Sequence, residues 1–119
     1  MGIDRELMRG AGPVTILNLL AQREMYGYEL VQTLADGSQG VLAMGQSTLY
    51  PMLYNLESKK LIRGRWKDAD NGRRRKYYGL TSAGRKQLAQ DLGKWQELVG
   101  ALRRLGVIDS TGRGLGEAT

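Results

Sequence analysis

The residues of this sequence that are best suited to binding a ligand are basic, and half of them lie in one short segment. Nine of the 18 lysines and arginines fall between Lys59 and Lys76, where only Asp68 and Asp70 oppose them. With nine positive and two negative charges, this basic segment has a net charge of +7. The whole chain has a formal net charge of +6, so the remaining residues together carry −1. Such a concentration of cations is typical of polyanion binding. It favours nucleic acid as the partner, ahead of an anionic membrane surface.

The sequence lacks the side chains that enzymes most often use in catalysis. The sequence contains neither histidine nor cysteine, so it has no imidazole base, no thiol nucleophile and none of the usual zinc ligands. Its 12 aspartates and glutamates are scattered, with Asp68 and Asp70 as the nearest approach to a cluster. We therefore expect a binding protein and not an enzyme, with no metal and no cofactor.

The compartment is predicted from what the sequence lacks. The absence of cysteine suits a reducing cytosol. No run of 18 apolar residues is present to span a membrane, and no basic and hydrophobic leader opens the chain. We expect a cytoplasmic, nucleoid-associated protein that does not insert into membranes.

Three helices are predicted at about 5–22, 26–35 and 46–58. Gly10, Gly12 and Pro13 interrupt the first of them, and we expect a kink or a separate turn there. In the third, leucines at helical spacing with Met52 form one inward face. The opposite face and its flanks carry small, hydroxylic and aromatic groups, which are Ser47, Tyr50, Pro51, Tyr54, Asn55 and Ser58.

The basic segment predicts a β-hairpin at about 61–80. Two stretches with the pattern of strands, 61–67 and 74–80, flank a turn that contains Asn71 and Gly72, a pair in which both residues accept positive φ. Three helices followed by a basic hairpin are typical of a winged helix-turn-helix. We therefore predict a mostly α (α+β) fold, with residues 1–80 as a DNA-binding domain.

Residues 81–106 predict a long C-terminal helix with Thr81 as its N-cap. Apolar residues at alternating spacings of four and three form a heptad seam suited to dimerisation, and they are Leu88, Leu92, Trp95, Val99 and Leu102. Three glycines within this helix each cost about 1 kcal/mol relative to alanine, so the helix needs a partner surface. We predict a disordered tail over 107–119.

Three motifs of this chain occur in a specific order and spacing. They are Tyr-Gly-Tyr-Glu-Leu at 26–30, Ser-Thr-Leu-Tyr-Pro-Met-Leu at 47–53 and Gly-Arg-Arg-Arg-Lys-Tyr-Tyr-Gly-Leu-Thr at 72–81. Together they resemble the PadR family of bacterial and archaeal regulators, over about residues 6–105 and in the short form with a single C-terminal helix. The resemblance implies a homodimer joined through that helix, which binds a palindromic operator and usually represses. It also implies that an aromatic, phenolic or other hydrophobic ligand can relieve repression.

For binding to double-stranded DNA, we expect the third helix in the major groove and the hairpin on phosphates. The candidate contacts are Tyr28, Gln46, Ser47, Thr48, Tyr50, Tyr54, Arg73, Arg74, Arg75 and Lys76. Because strand side chains alternate, only about half of the four basic hairpin residues can point the same way. The outer face of the helix has no basic residue and few amides, which leaves more of the readout to DNA shape.

Each functional interpretation has a plainer alternative. The third helix can be a surface whose tyrosines cover the core, the hairpin a solvated charge run, and Tyr28 a core or interface residue. We expect Trp66, Tyr77 and Tyr78 to pack the hairpin against the helices. Trp95 either packs in the dimer seam or lines a ligand platform between subunits. A winged-helix module that binds protein or RNA, without an operator, remains the alternative function.

Overall fold

The computed structural model describes residues 3–109, which form four helices and a small antiparallel sheet. The order is α1 (Arg5–Gln22), β1 (Met25–Tyr26), α2 (Gly27–Gly37), α3 (Gln46–Ser58), β2 (Ile62–Asp68), β3 (Arg74–Leu80) and α4 (Ser82–Arg104). The strands lie in the order β1-β3-β2. Three helices followed by a hairpin and a long helix confirm the predicted winged helix-turn-helix. From residue 110 onward, the predicted tail lies outside the described residues.

The chain divides into two compact units, Met1–Leu88 and Ala89–Thr119. The first unit holds the hydrophobic core, in which Ile16, Leu30 and Leu49 are completely shielded from solvent. The predicted inward face of α3 is confirmed, because Leu49, Leu53 and Leu56 are buried and Met52 packs against them half-buried. This packing fixes the orientation of α3 and therefore which of its residues face outward.

Helix α1 passes through Pro13 without a break, so the expectation of a separate turn there is wrong. The helix starts at a regular cap, in which the Asp4 carboxylate accepts a hydrogen bond from the Leu7 N–H at 2.9 Å. Farther along, Gly12 is buried against Met52, whose Sδ would lie 2.8 Å from a Cβ at this position. Tertiary packing at such a close helix crossing outweighs the low intrinsic helix propensity of glycine and proline.

The start of the second helix differs from its prediction. Met25 and Tyr26 form a two-residue strand that pairs with Tyr78 and Tyr77 of β3, and α2 begins at Gly27. The Glu29 carboxylate accepts a hydrogen bond from the Tyr26 N–H at 3.1 Å and so closes the junction. A strand of two residues is too short to show a period in sequence, so only its pairing with the hairpin reveals it.

The hairpin confirms the predicted strands within one residue, but its turn differs in detail. Gly72 has a φ of +82°, whereas Asn71 is not among the residues with positive φ, contrary to the expectation for both. The Ala69 N–H donates to the Arg73 carbonyl at 2.7 Å, so three residues, Asp70 to Gly72, form the loop. Loops of three residues with glycine in the left-handed position are the next most common hairpin turns after the two-residue type.

Helix α4 begins and ends with well-formed caps. The Thr81 hydroxyl accepts from the Gly84 N–H at 3.0 Å, which confirms the predicted N-cap. At the other end, Gly106 has a φ of +77°, and the Val107 N–H donates to the Leu102 carbonyl at 2.9 Å. This pair of features is a Schellman ending, which satisfies carbonyls that the helix leaves without partners.

Candidate nucleic-acid interface

A cleft of about 650 Å³ lies where the starts of α2 and α3 face the hairpin. We call it the wing cleft, and its lining residues are Tyr26, Gly27, Tyr28, Gln46, Tyr50, Trp66, Arg73, Arg74, Arg75, Lys76 and Tyr78. Seven of the ten residues predicted to contact DNA are in this set: Tyr28, Gln46, Tyr50, Arg73, Arg74, Arg75 and Lys76. The fold thus brings together three motifs that are distant in sequence.

The other three predicted residues lie elsewhere on α3. Ser47 and Thr48 line a second cleft, and Tyr54 is 76% exposed and lines neither. All five predicted α3 residues, from Gln46 to Tyr54, are solvent-exposed. The outer face of α3 is therefore accessible from end to end in the first unit.

Tyr28 also lies on the surface. It is 50% exposed, and its hydroxyl accepts a hydrogen bond from Gln32 Nε2 at 2.9 Å. The alternative of a core tyrosine is therefore wrong. As the second residue of α2, Tyr28 stands near the positive end of the helix dipole, where a phosphate is favoured.

The two faces of the hairpin carry different chemistry because side chains alternate along the strands. Lys76 is paired in register with Trp66, and both lie on the same face as the buried Tyr78. Arg75 projects to the opposite face, where its guanidinium lies 4.3 Å from the centre of the Tyr26 ring. On that face too, Lys67 Nζ lies 4.5 Å from the centre of the Tyr77 ring.

Lys76 forms an ion pair that joins the hairpin to α3. Its Nζ lies 3.2 Å from Glu57 Oε1, and Glu57 Oε2 accepts a hydrogen bond from the Gly64 N–H at 3.0 Å. The Gly64 hydrogen bond and the lysine beside it lower the pKa of Glu57. In turn, the hydrogen bond to Glu57 raises the pKa of Lys76. Lys76 therefore sets the position of the wing and has its charge already compensated.

A second carboxylate pairs with two further cations of the basic segment, and its single charge offsets one of the two. Glu24 accepts from Arg65 at 2.6 Å and from Lys67 at 2.9 Å, and these bonds lower its pKa, with the Arg65 bond as the largest cause. Arg73 and Arg74 are exposed and make no ion pair within residues 3–109. Lys59, Lys60 and Arg63 are likewise exposed and unpaired in this range, so the unpaired cations of the basic segment lie both at the tip of the wing and near its base.

Trp66 is a candidate contact that the sequence reasoning missed. It was expected to pack the hairpin against the helices, but it is 61% exposed and lines the wing cleft. Tyr78, predicted to pack in the same way, is buried at 6% exposure. The difference follows from position, because Trp66 lies on edge strand β2 near the turn and Tyr78 lies on the central strand. The position of Trp66 close to the predicted turn was the feature of the sequence that could have indicated its exposure.

The predicted dimer seam has residues in both units. Leu88 is buried with the core of the first unit. In the second unit, Leu92 is 41% exposed, whereas Trp95, Val99 and Leu102 are half-buried. Leu98, which lies outside the predicted seam, is 49% exposed. Helix α4 therefore presents several apolar side chains that are not fully covered.

The described residues offer no metal site and no membrane span. Across residues 3–109, no group of three or more histidines, cysteines, aspartates and glutamates could hold a metal ion. Within the same range, no helix has the length and apolar character needed to cross a bilayer.

Comparison with known proteins identifies the class of protein that this fold represents. A PadR-like transcriptional regulator from Bacillus cereus has a TM-score of 0.76 and 31% identity, with coverage of 84% of this chain and 95% of that one. A PadR family transcriptional regulator from Eggerthella lenta gives a TM-score of 0.73 at 34% identity, covering 84% of this chain and 85% of that one. The fold is that of winged-helix transcriptional regulators.

The family follows from sequence. The transcriptional regulator PadR-like family model matches residues 16–90. The transcriptional regulator Rv3488 of Mycobacterium tuberculosis is 36% identical over 94 residues, which is 79% of this chain and 84% of that protein. The chain therefore belongs to the PadR-like family of transcriptional regulators and is not an enzyme, and the resemblance noted in its motifs is confirmed.

Proposed function

We propose that this regulator binds a palindromic operator in double-stranded DNA as a homodimer and represses transcription there. We propose also that a small aromatic or hydrophobic ligand relieves this repression. The observation that carries the proposal is the wing cleft. It sets two unpaired arginines, Arg73 and Arg74, beside exposed polar residues at the start of α3.

The proposed contacts divide between the two grooves. Helix α3 lies in the major groove, where Gln46 supplies an amide and Ser47, Thr48, Tyr50 and Tyr54 supply hydroxyls. Arg73 and Arg74 meet phosphates or enter a narrow minor groove at the wing tip. Because α3 contains no lysine or arginine, we propose that DNA shape contributes much of the sequence preference.

Dimerisation is assigned to α4. A two-fold dimer places two copies of α3 on equivalent half-sites. The operator of such a dimer is therefore expected to be palindromic. We propose that Leu92, Trp95, Val99 and Leu102 form this contact, whereas Leu88, predicted as part of the same seam, packs in the core of the first unit. Trp95, half-buried in the single chain, is the residue that we propose to test for ligand binding, with packing in the seam as its other role.

The test is fluorescence anisotropy with two labelled duplexes, the upstream region of the regulator's own gene and a scrambled control, across a salt series. If about six phosphates are neutralised per dimer, log affinity falls with log salt at a slope of about −5. Selective and salt-steep binding to the upstream duplex supports the proposal. Failure to bind either duplex at low salt contradicts it and favours a module that binds protein or RNA.

A further inference from the structure

A second cleft, of about 810 Å³, lies between the start of α1, the loop before α3 and α3 itself. We call it the α1 cleft. Among the described residues, three cations line it, Arg5, Arg9 and Lys59, and no aspartate or glutamate does. Its electrostatic character therefore matches an anionic occupant.

The two arginines are placed to reach a ligand outside the chain. Arg5 and Arg9 stand one helical turn apart on α1, a rise of about 6 Å, and both are exposed. Neither forms an ion pair within residues 3–109. Arg5 is the first residue of α1, where a positive charge opposes the helix dipole, so the stability of the helix does not account for it.

The α1 cleft shares its other wall with the proposed recognition helix. Ser47, Thr48 and Asn55 line it and are exposed, whereas Gln46 and Tyr50 line the wing cleft. The two clefts thus adjoin different sides of α3. In addition, the N-cap of α3 is Gly45, which offers no side chain to the amides of the first turn. The Thr48 N–H already donates to the Gly45 carbonyl at 3.1 Å, so the amides of Gln46 and Ser47 are the donors that suit a phosphate.

We propose that the α1 cleft binds backbone phosphates of a DNA strand that runs along the side of α3 away from the wing, through Arg5, Arg9 and Lys59. This inference rests on the proposed function. It assigns a phosphate-binding role to α1, which none of the ten sequence-predicted residues occupies. Helix α3 is then held between two sets of phosphate contacts, and its depth in the groove is set from both sides.

The test compares Arg5→Gln/Arg9→Gln with a control pair, Arg85→Gln/Lys86→Gln, which removes the same charge from exposed residues of α4. Anisotropy is measured across a salt series with the upstream duplex and a mixed-sequence duplex. If Arg5 and Arg9 of each subunit together hold one phosphate, the salt slope becomes shallower by about 2, for both duplexes. The control leaves the slope near that of the unaltered chain.

Thermal unfolding separates this role from a structural one. Because the charge of Arg5 opposes the helix dipole, the double variant is expected to keep or raise the midpoint of unfolding while its DNA binding weakens. An unchanged salt slope in the double variant, or an equal loss in the control, overturns the α1 cleft while leaving the proposed function intact. If the unaltered chain binds neither duplex, the proposed function itself fails, and the inference fails with it.

Discussion

The phenol of Tyr50 occupies the space that a side chain at Gly27 would need. A Cβ at Gly27 would collide with the Tyr50 hydroxyl and lie 2.8 Å from Cζ of its ring. The first residue of α2 is thus in direct contact with the outward side of α3, and both line the wing cleft. The contact ties the spacing of the two helices to the position of a proposed DNA contact.

Gly27→Ala is therefore expected to displace Tyr50 and weaken DNA binding at least about fivefold, which is about 1 kcal/mol. Gly37→Ala, at the last residue of the same helix, meets nothing within 4 Å and is the matched control. Anisotropy with the upstream duplex measures the effect, and circular dichroism shows that both variants remain helical. Equal affinities for the two variants would show that the Tyr50 position does not matter.

The ion pair between Glu57 and Lys76 predicts a pH-dependent stability. The pKa of Glu57 is lowered in the folded chain, so its stabilising effect is complete above about pH 5 and is lost as the pH falls below about 4. Glu57→Gln should cost about 0.5 to 1 kcal/mol at pH 7, since both partners are partly exposed. The difference from the unaltered chain should shrink on acidification.

Urea unfolding at several pH values measures this difference. Glu97→Gln is the control, because Glu97 is exposed on α4 and forms no salt bridge within residues 3–109. A cost for Glu57→Gln that stays constant down to pH 3 would mean that the charge of Glu57 is not the source of the stability.

The wing arginines are expected to act through phosphates. Changing Arg73, Arg74 and Arg75 together to alanine should make the salt slope shallower by about 0.9 for each phosphate that the wing no longer neutralises. Folding should persist, because Arg73 and Arg74 are exposed and unpaired within residues 3–109 and losing the Arg75 contact with the Tyr26 ring costs about 0.5 to 1 kcal/mol. A salt series of anisotropy titrations gives the slope, and thermal unfolding gives the stability. An unchanged slope would remove the wing from the interface.

The seam of α4 is expected to carry the dimer. Trp95→Glu or Leu92→Glu should give a monomer or an unfolded chain, because an unpaired charge in a desolvated contact is strongly unfavourable. Gln96→Glu places the same charge on an exposed position of the same helix and should leave assembly unchanged. Sedimentation velocity measures the mass, and circular dichroism distinguishes a folded monomer from an unfolded chain. An intact dimer in both seam variants would rule out this surface.

The sequence predicted the elements whose periodic pattern is long. The leucines of α3 and the alternating strands of the hairpin both appear where their spacing indicated. What it missed depends on contacts between distant residues. Pro13 remains helical because Gly12 packs against Met52, and Met25 is a strand because it meets Tyr78. Neither partner is visible from local propensity.

The sequence predicted which residues lie at the candidate site better than it predicted what each of them does there. The basic segment was identified, but charge compensation was not, since Glu24 pairs with Arg65 across 41 positions and Glu57 with Lys76 across 19. Trp66 shows the same limit, because its exposure depends on which strand forms the edge of the sheet. Net charge locates a surface, whereas the fold decides which charges on that surface are available to a ligand.

The pairing of β1 with β3 has a mechanical consequence for the wing. β1 reaches only Tyr77 and Tyr78, so the hairpin is three-stranded at its base and two-stranded from Lys76 to its turn. A two-stranded ribbon has little stability of its own and twists readily. The base therefore moves with α2, whereas the segment that carries Arg73 and Arg74 can bend. In the proposed complex, this bending fits Arg73 and Arg74 to grooves of different width while α3 keeps its register on the bases.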